Sequence, residues 1–159
     1  MRDSLNNLER KLMNLGVYIK DLAATEEVEH LVANINKAVE DGSVDDASIF
    51  YESVGKHPVN IKCGCFNSTD LWNFTGNLIV TSIDSARTAI NIVNKFKVYF
   101  YYKWYDEKDL MGLMSVVNHP RVVTICRTEK DAAEIYRLTG NRPEAVVENF
   151  DIEQVLEVF

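Results

Sequence analysis

Two thiols stand two residues apart at Cys63-Gly64-Cys65, a spacing that could form half of a metal or redox site. Tetrahedral zinc takes four ligands, usually from two such pairs. The other soft ligands, Cys126, His30, His57 and His119, are not paired at ligand spacing. The pair is therefore expected to be two small buried thiols on a short strand, with no metal. His57 and His119 each precede a proline. A loop imidazole can serve as general acid or base because it titrates near neutrality. A histidine before a turn-forming proline is, in the simpler expectation, a surface loop residue. The chain has no G-x-G-x-x-G after a strand, no G-x-x-x-x-G-K-[ST], no H-E-x-x-H and no G-x-S-x-G. Each of these motifs places backbone amides, metal ligands or a nucleophile for a defined chemistry, so no cofactor is expected.

What remains is chemistry at strand ends. Open α/β sheets bind ligands beyond the carboxyl ends of their strands. Those ends carry Glu52 and Ser53, Ser82 and Asp84, Lys103 and Trp104, Arg127 and Thr128, and Glu148 and Asn149. Lys103 or Arg127 could meet a phosphate, helped by the amino terminus of the following helix. Trp104 could stack on a base or sugar. The candidate ligand set is Glu52, Ser82, Lys103, Trp104, Arg127 and Thr128. The competing expectation is that Ser82, Asp84 and Thr128 only cap helices and that the charges are solvated edge residues.

The elements that would position these residues follow from apolar patterning. Candidate strands are Ala47–Glu52, Asn77–Ser82, Lys97–Lys103, Arg121–Cys126 and Glu144–Val147. The runs Leu78-Ile79-Val80 and Val98-Tyr99-Phe100-Tyr101-Tyr102 are apolar on both faces rather than alternating, and Val122 to Cys126 nearly so, as for strands covered on both sides in parallel sheets. Helices are expected at Asp84–Phe96, Asp106–Val117, Thr128–Leu138 and from Asp151 onward, with Asp84, Asp106 and Thr128 as caps. Residues 53–76 are expected to be loop-rich, with one helical turn at Thr69–Phe74.

The first 42 residues read differently. Leu5, Leu8, Leu12, Leu15, Ile19 and Leu22 are spaced 3, 4, 3, 4, 3, an apolar seam on one helix face. Gly16 weakens that helix. A second helix starts at the N-cap Thr25, buries Val28, Val32, Ile35 and Val39, and stops at Gly42. Residues 1–42 are thus expected to be a helical hairpin, and residues 43–159 an α/β layer packed with it into one domain. The rival expectation makes Val17 to Ile19 a short strand. The fold class is α/β: a three-layer Rossmann-like or flavodoxin-like, mostly parallel sheet of about four or five strands, with an N-terminal helical hairpin. The leucine seam could make a homodimer. It is shorter than the heptad run that argues a coiled coil.

The chain carries 17 Lys+Arg against 24 Asp+Glu, a net charge of -7. That balance disfavours nucleic acid, whose non-specific binding runs on phosphate neutralisation. A local basic patch of Lys95, Lys97, Lys103 and Lys108 would need these residues to share a face. No apolar run reaches the length of a membrane span and the start has no signal-peptide core, so a cytoplasmic protein is expected.

The second half resembles a known architecture. The run Val122 to Ala133, then Leu138-Thr139-Gly140, then Glu144 to Asp151, is similar to the end of the N-terminal Rossmann-like half of GT-B glycosyltransferases. Glu148 and Phe150 stand where that family usually has Pro and Gly. The stretch Phe66 to Ser82 resembles a segment of small glycosyltransferase-like proteins of large tailed bacteriophages. The resemblance implies a glycosyltransferase-like half-domain, phage-encoded and working in a host cytoplasm. The chain ends where the donor-binding second half of such an enzyme would begin. A binding or interaction module without its own transferase activity is therefore expected. The alternative is a nucleotide-sugar- or sugar-binding transferase completed by homodimerisation.

Overall fold

The computed structural model describes residues 14–55, 60–92, 96–102 and 109–159. Seven strands run β1 (Asn14–Leu22), β2 (Asp46–Val54), β3 (Gly64–Asn67), β4 (Gly76–Val80), β5 (Phe96–Tyr102), β6 (Val122–Cys126) and β7 (Ala145–Val146). The helices are α1 (Glu26–Glu40), α2 (Ile83–Asn91), α3 (Leu110–Val117), α4 (Glu129–Thr139) and α5 (Ile152–Val158). A 3-10 turn occupies Ser68–Asn73, close to the expected helical turn.

The strands form one sheet in the order β3-β2-β1-β4-β5-β6-β7, and every neighbouring pair is parallel. This is a doubly wound, Rossmann-like order. The winding reverses between β1 and β4, which pair directly: Val17 lies opposite Ile79 and Tyr18 opposite Val80. On one face α1 and α5 cover a core that includes Leu15, Val17, Ile49, Ile79, Tyr99 and Ile125. On the other face α2, α3, α4 and the 3-10 turn cover Tyr18, Phe50, Leu78, Phe100 and Cys126.

The expected helical hairpin is corrected at its first arm. Residues 14–22 are a strand, and the sheet has seven strands rather than four or five. The reason lies in the spacing. An offset of four residues returns to the same side of a helix, but it is also even, so in a strand Leu15 and Ile19 share a face. Leu15-Gly16-Val17-Tyr18-Ile19 is then a continuous apolar run of the doubly covered kind. Gly16 has a use here that it lacks in a helix. A Cβ there would stand 2.7 Å from the Phe74 ring, so the missing side chain seats that ring. Leu5, Leu8 and Leu12 lie outside the described residues. Leu15, Ile19 and Leu22 are 1%, 5% and 3% exposed in the core, so they are not available to a partner chain.

The second arm agrees with expectation. Thr25 caps α1 by accepting from the Val28 amide, and Gly42 follows its end with a φ of 70°. The other unexpected strand, β3, lies inside the segment expected to be loop-rich. It is short and at the sheet edge, where four residues leave little periodicity to detect. Cys65 lies on it and Cys63 just before it, both half-buried rather than fully buried. The expected helix at Asp84–Phe96 is shorter, Ile83–Asn91, and starts one residue earlier, capped by Ser82 rather than Asp84 through a reciprocal bond pair with Ser85. Helix α3 is capped by Asp109, whereas the expected cap Asp106 lies outside the described residues.

Replacing Leu15 by Ala should cost about 2–5 kcal/mol in a urea unfolding titration, as for a fully buried core leucine. The oligomeric state in sedimentation should not move. A change in association with little loss of stability would instead point to an exposed seam.

Candidate functional site

All seven strands point the same way, so their carboxyl ends line one edge of the sheet. A cavity of about 470 Å3 opens along that edge on the α1 side. Thr25, Glu26, Glu27, His30 and Leu31 supply one wall, from the first turns of α1. Thr81 follows β4, Tyr101 lies on β5, and Arg127 follows β6. Asn149 and Phe150, after β7, close the far wall. Segments following β1 and β4 thus meet here, at the reversal of winding where open α/β sheets take their ligands.

The floor is set by Tyr101, which is 6% exposed. Its hydroxyl donates to the Val147 carbonyl at 2.6 Å and accepts from the Phe150 amide at 3.1 Å. Burial raises its pKa, so the hydroxyl keeps the proton that the Val147 bond requires. The Phe150 ring packs edge-on against the Tyr101 ring, with centroids 5.2 Å apart. These contacts hold an unusual backbone. Asn149 and Phe150 have φ of 53° and 54°, the left-handed region that a phenylalanine seldom enters. Such residues cost about 1–3 kcal/mol each and persist only where their surroundings over-determine them. Asn34 of α1 adds a bond to the Asn149 carbonyl at 3.4 Å, tying the two walls together.

The charges are mixed. Arg127 is exposed at the end of β6 and lines the crevice, while Glu26 and Glu27 lie in the first turn of α1. The arrangement can hold a small molecule with an anionic group near Arg127, hydroxyls near the carboxylates and an apolar face against Tyr101, Phe150 and Leu31.

Of the candidate ligand set, Arg127 lines this crevice. Ser82 and Thr128 stand beside it as helix caps, accepting from the Ser85 and Asp131 amides, each at 3.1 Å. Glu52 lies toward the opposite face, where it accepts a hydrogen bond from the Tyr18 hydroxyl. Lys103 and Trp104 lie outside the described residues, as do His57, Lys95 and Lys108. His119 is at the amino end of β6, away from the crevice, and its Nδ1 accepts from the Arg121 amide at 3.1 Å. Among the described residues no group of three or more His, Cys, Asp or Glu is placed to hold a metal ion. No helix among them is long and apolar enough to cross a membrane.

His30, Tyr101 and the α1 first turn were missed from the sequence. Their signal was β1: once residues 14–22 are a strand, the helix after it must present its amino end at the carboxyl edge. No family model, curated protein or solved structure matches the chain significantly.

The Tyr18–Glu52 pair has a consequence for stability. Burial, then the bond and charge of Glu52, push the Tyr18 pKa from 10.0 to about 12. The folded state therefore holds this proton more tightly than the unfolded chain. Stability is intact below pH 10 and falls as pH rises from 10 to about 12. The loss at the upper end should reach roughly 2–3 kcal/mol for this group. Denaturant melts across that window should show it, and Tyr18→Phe should flatten the part of the slope that belongs to Tyr18.

Proposed function

We propose that the chain is a Rossmann-like, glycosyltransferase-like binding module that takes a nucleotide or sugar phosphate in the carboxyl-edge crevice. One observation carries the proposal: a cavity at the reversal of strand order that Arg127 lines together with Tyr101, Phe150 and Leu31. The guanidinium is suited to a phosphate, in a charge-assisted and potentially bidentate pairing. The Tyr101–Phe150 floor is suited to a base or a sugar face, and the carboxylates of the α1 first turn to hydroxyl groups. Binding, rather than transfer, is the activity these groups support directly.

Titration of the four common nucleoside diphosphates should raise the melting temperature with at least one. At 100 times its dissociation constant a ligand stabilises the fold by about 2.7 kcal/mol. Arg127→Ala should weaken that ligand about 10- to 100-fold, the worth of one charge-assisted bond. A flat response to all four would remove the proposal.

A second role, association through a protein surface, has one observation in its favour. Leu110, Met111 and Met114 of α3 are 38%, 81% and 36% exposed and share one side of the helix. With Leu15, Ile19 and Leu22 buried, a homodimer that completes a transferase would use a face of this kind. Methionine-rich surfaces suit adaptable contacts. Sedimentation equilibrium at tens of micromolar should then show a dimer that Met111→Glu converts to monomer. A monomer at that concentration in the unaltered chain would exclude this route.

A further inference from the structure

β7 closes the sheet on one side and pairs with a single neighbour, β6. Beyond its other edge lies a cavity of about 560 Å3 that shares no lining residue with the crevice at Arg127. One wall is the run Glu144 to Val147, and the facing wall is Gln154, Glu157 and Val158 of α5.

Four consecutive residues of an extended chain cannot form one wall through side chains alone, because successive side chains turn to opposite faces. The wall is therefore the backbone edge itself. The bonds to β6 agree. The Val147 amide donates to the Cys126 carbonyl at 2.8 Å, and Cys126 lies opposite Val146. Backbone groups alternate in direction along a strand, so the N–H and C=O of Val146 turn outward, toward the cavity. A strand edge of this kind is a template for one more extended segment. Helix α5 makes the template a groove. Gln154, Glu157 and Val158 stand at i, i+3 and i+4, which is one side of a helix. A strand laid along β7 would have a backbone partner on one side and this helix stripe on the other.

The charge of the groove selects the occupant. Glu144, Gln154 and Glu157 are exposed, and no Lys or Arg is among the lining residues. Neither carboxylate is in an ion pair among the described residues. A second copy docked edge to edge would set Glu144 and Glu157 against their own counterparts, on a chain of net charge -7. Pro143 and Glu144 at the start of the edge also blunt pairing between like copies. The complementary partner is extended and positively charged.

We propose that the β7 edge docks an extended basic segment of another protein, which adds as an eighth strand and sets its Lys or Arg side chains against Glu144 and Glu157. Main-chain bonds to Val146 would supply affinity, and the two carboxylates the choice of partner.

The test titrates the isotope-labelled full chain with the peptide Lys-Val-Lys-Val-Lys-Val-Lys and follows backbone amides by NMR. Binding should move the amides of residues 144–147 and 154–158, and the Val146 amide should gain protection from hydrogen exchange. The same peptide with Glu for Lys should not bind. Two further peptides carry N-methyl groups on one backbone edge or the other, with the charges unchanged. One of them should bind at least about tenfold more weakly, because only one edge faces β7. Glu157→Lys in the chain should weaken the parent peptide about tenfold, as for a reversed interface charge. If both methylated peptides bind like the parent, the attraction is charge alone and strand addition is overturned. If the Glu peptide binds as well as the Lys peptide, the basic partner is overturned. Absence of binding at about 1 mM, a contact weaker than about 4 kcal/mol, overturns both, as do shifts confined to other residues. If sedimentation equilibrium shows a dimer that the peptide dissolves, the edge belongs to a second copy and the proposal fails. Circular dichroism of the Glu157→Lys chain separates a loss of binding from a loss of fold, and the methylated peptides test the proposal without altering the chain.

Discussion

The burial of β1 between β2 and β4 is the constraint on which the rest of the structure depends. Its backbone pairs on both sides, from Leu15 opposite Ala47 and Asn77 to Tyr18 opposite Phe50 and Val80. Its side chains feed both cores, Leu15, Val17 and Ile19 on the α1 face and Tyr18 on the other. From Leu15 to Tyr18, where it has two neighbours and two covered faces, every residue of the strand is buried. Everything attached to it inherits that fixity. Helix α1 must leave β1 at the carboxyl edge, which puts Thr25 to Leu31 at the mouth of the crevice. The reversal of winding falls beside it, because the next strand on its other side is β4 rather than β2.

The far wall of the crevice is fixed by different physics. The segment after β7 has only a two-residue strand to anchor it. It is held instead by one hydroxyl that donates to Val147 and accepts from Phe150, and by one ring packed on another. In a buried setting those bonds are expensive to leave unmade, which is why they can sustain two consecutive residues at positive φ. Tyr101 thus converts core burial into a defined wall. The same burial keeps its hydroxyl protonated, so the clamp does not depend on pH near neutrality.

The polar groups on the opposite face show how readily a strand end can be misjudged. Glu52, at the end of β2, looks like a ligand-binding carboxylate. It is instead bonded to Tyr18, a residue that is 1% exposed and whose hydroxyl needs an acceptor at the rim of the core. Ser82 and Thr128 are occupied by helix amides that would otherwise go unpaired. Arg127, between β6 and the capped helix α4, lines the crevice. Which strand ends are free for ligand is therefore decided by which backbone and core groups need partners first.

Continuous apolar runs marked β4, β5 and β6 from sequence alone, because a strand buried on both faces needs no partner to declare its pattern, while β2 and β7 showed only as short apolar runs between turns and helices. Capping chemistry marked Thr25 and Thr128, since an orphan amide and a nearby hydroxyl are local facts. Arg127 could be named for the same reason, as the residue between a buried strand and a capped helix. β1 was read only as the rival expectation, a short strand at Val17 to Ile19, because the four-residue offset of Leu15 and Ile19 fits a helix as well as a strand, and β3 was hidden by its four residues. With β1 went His30 and the whole α1 wall. Tertiary structure decided what depends on two distant segments meeting: the β1–β4 junction, the Tyr101 clamp on residues 147–150, and the pairing of Glu52 with Tyr18. None of these has a local signature, because each exists only once the sheet order is set.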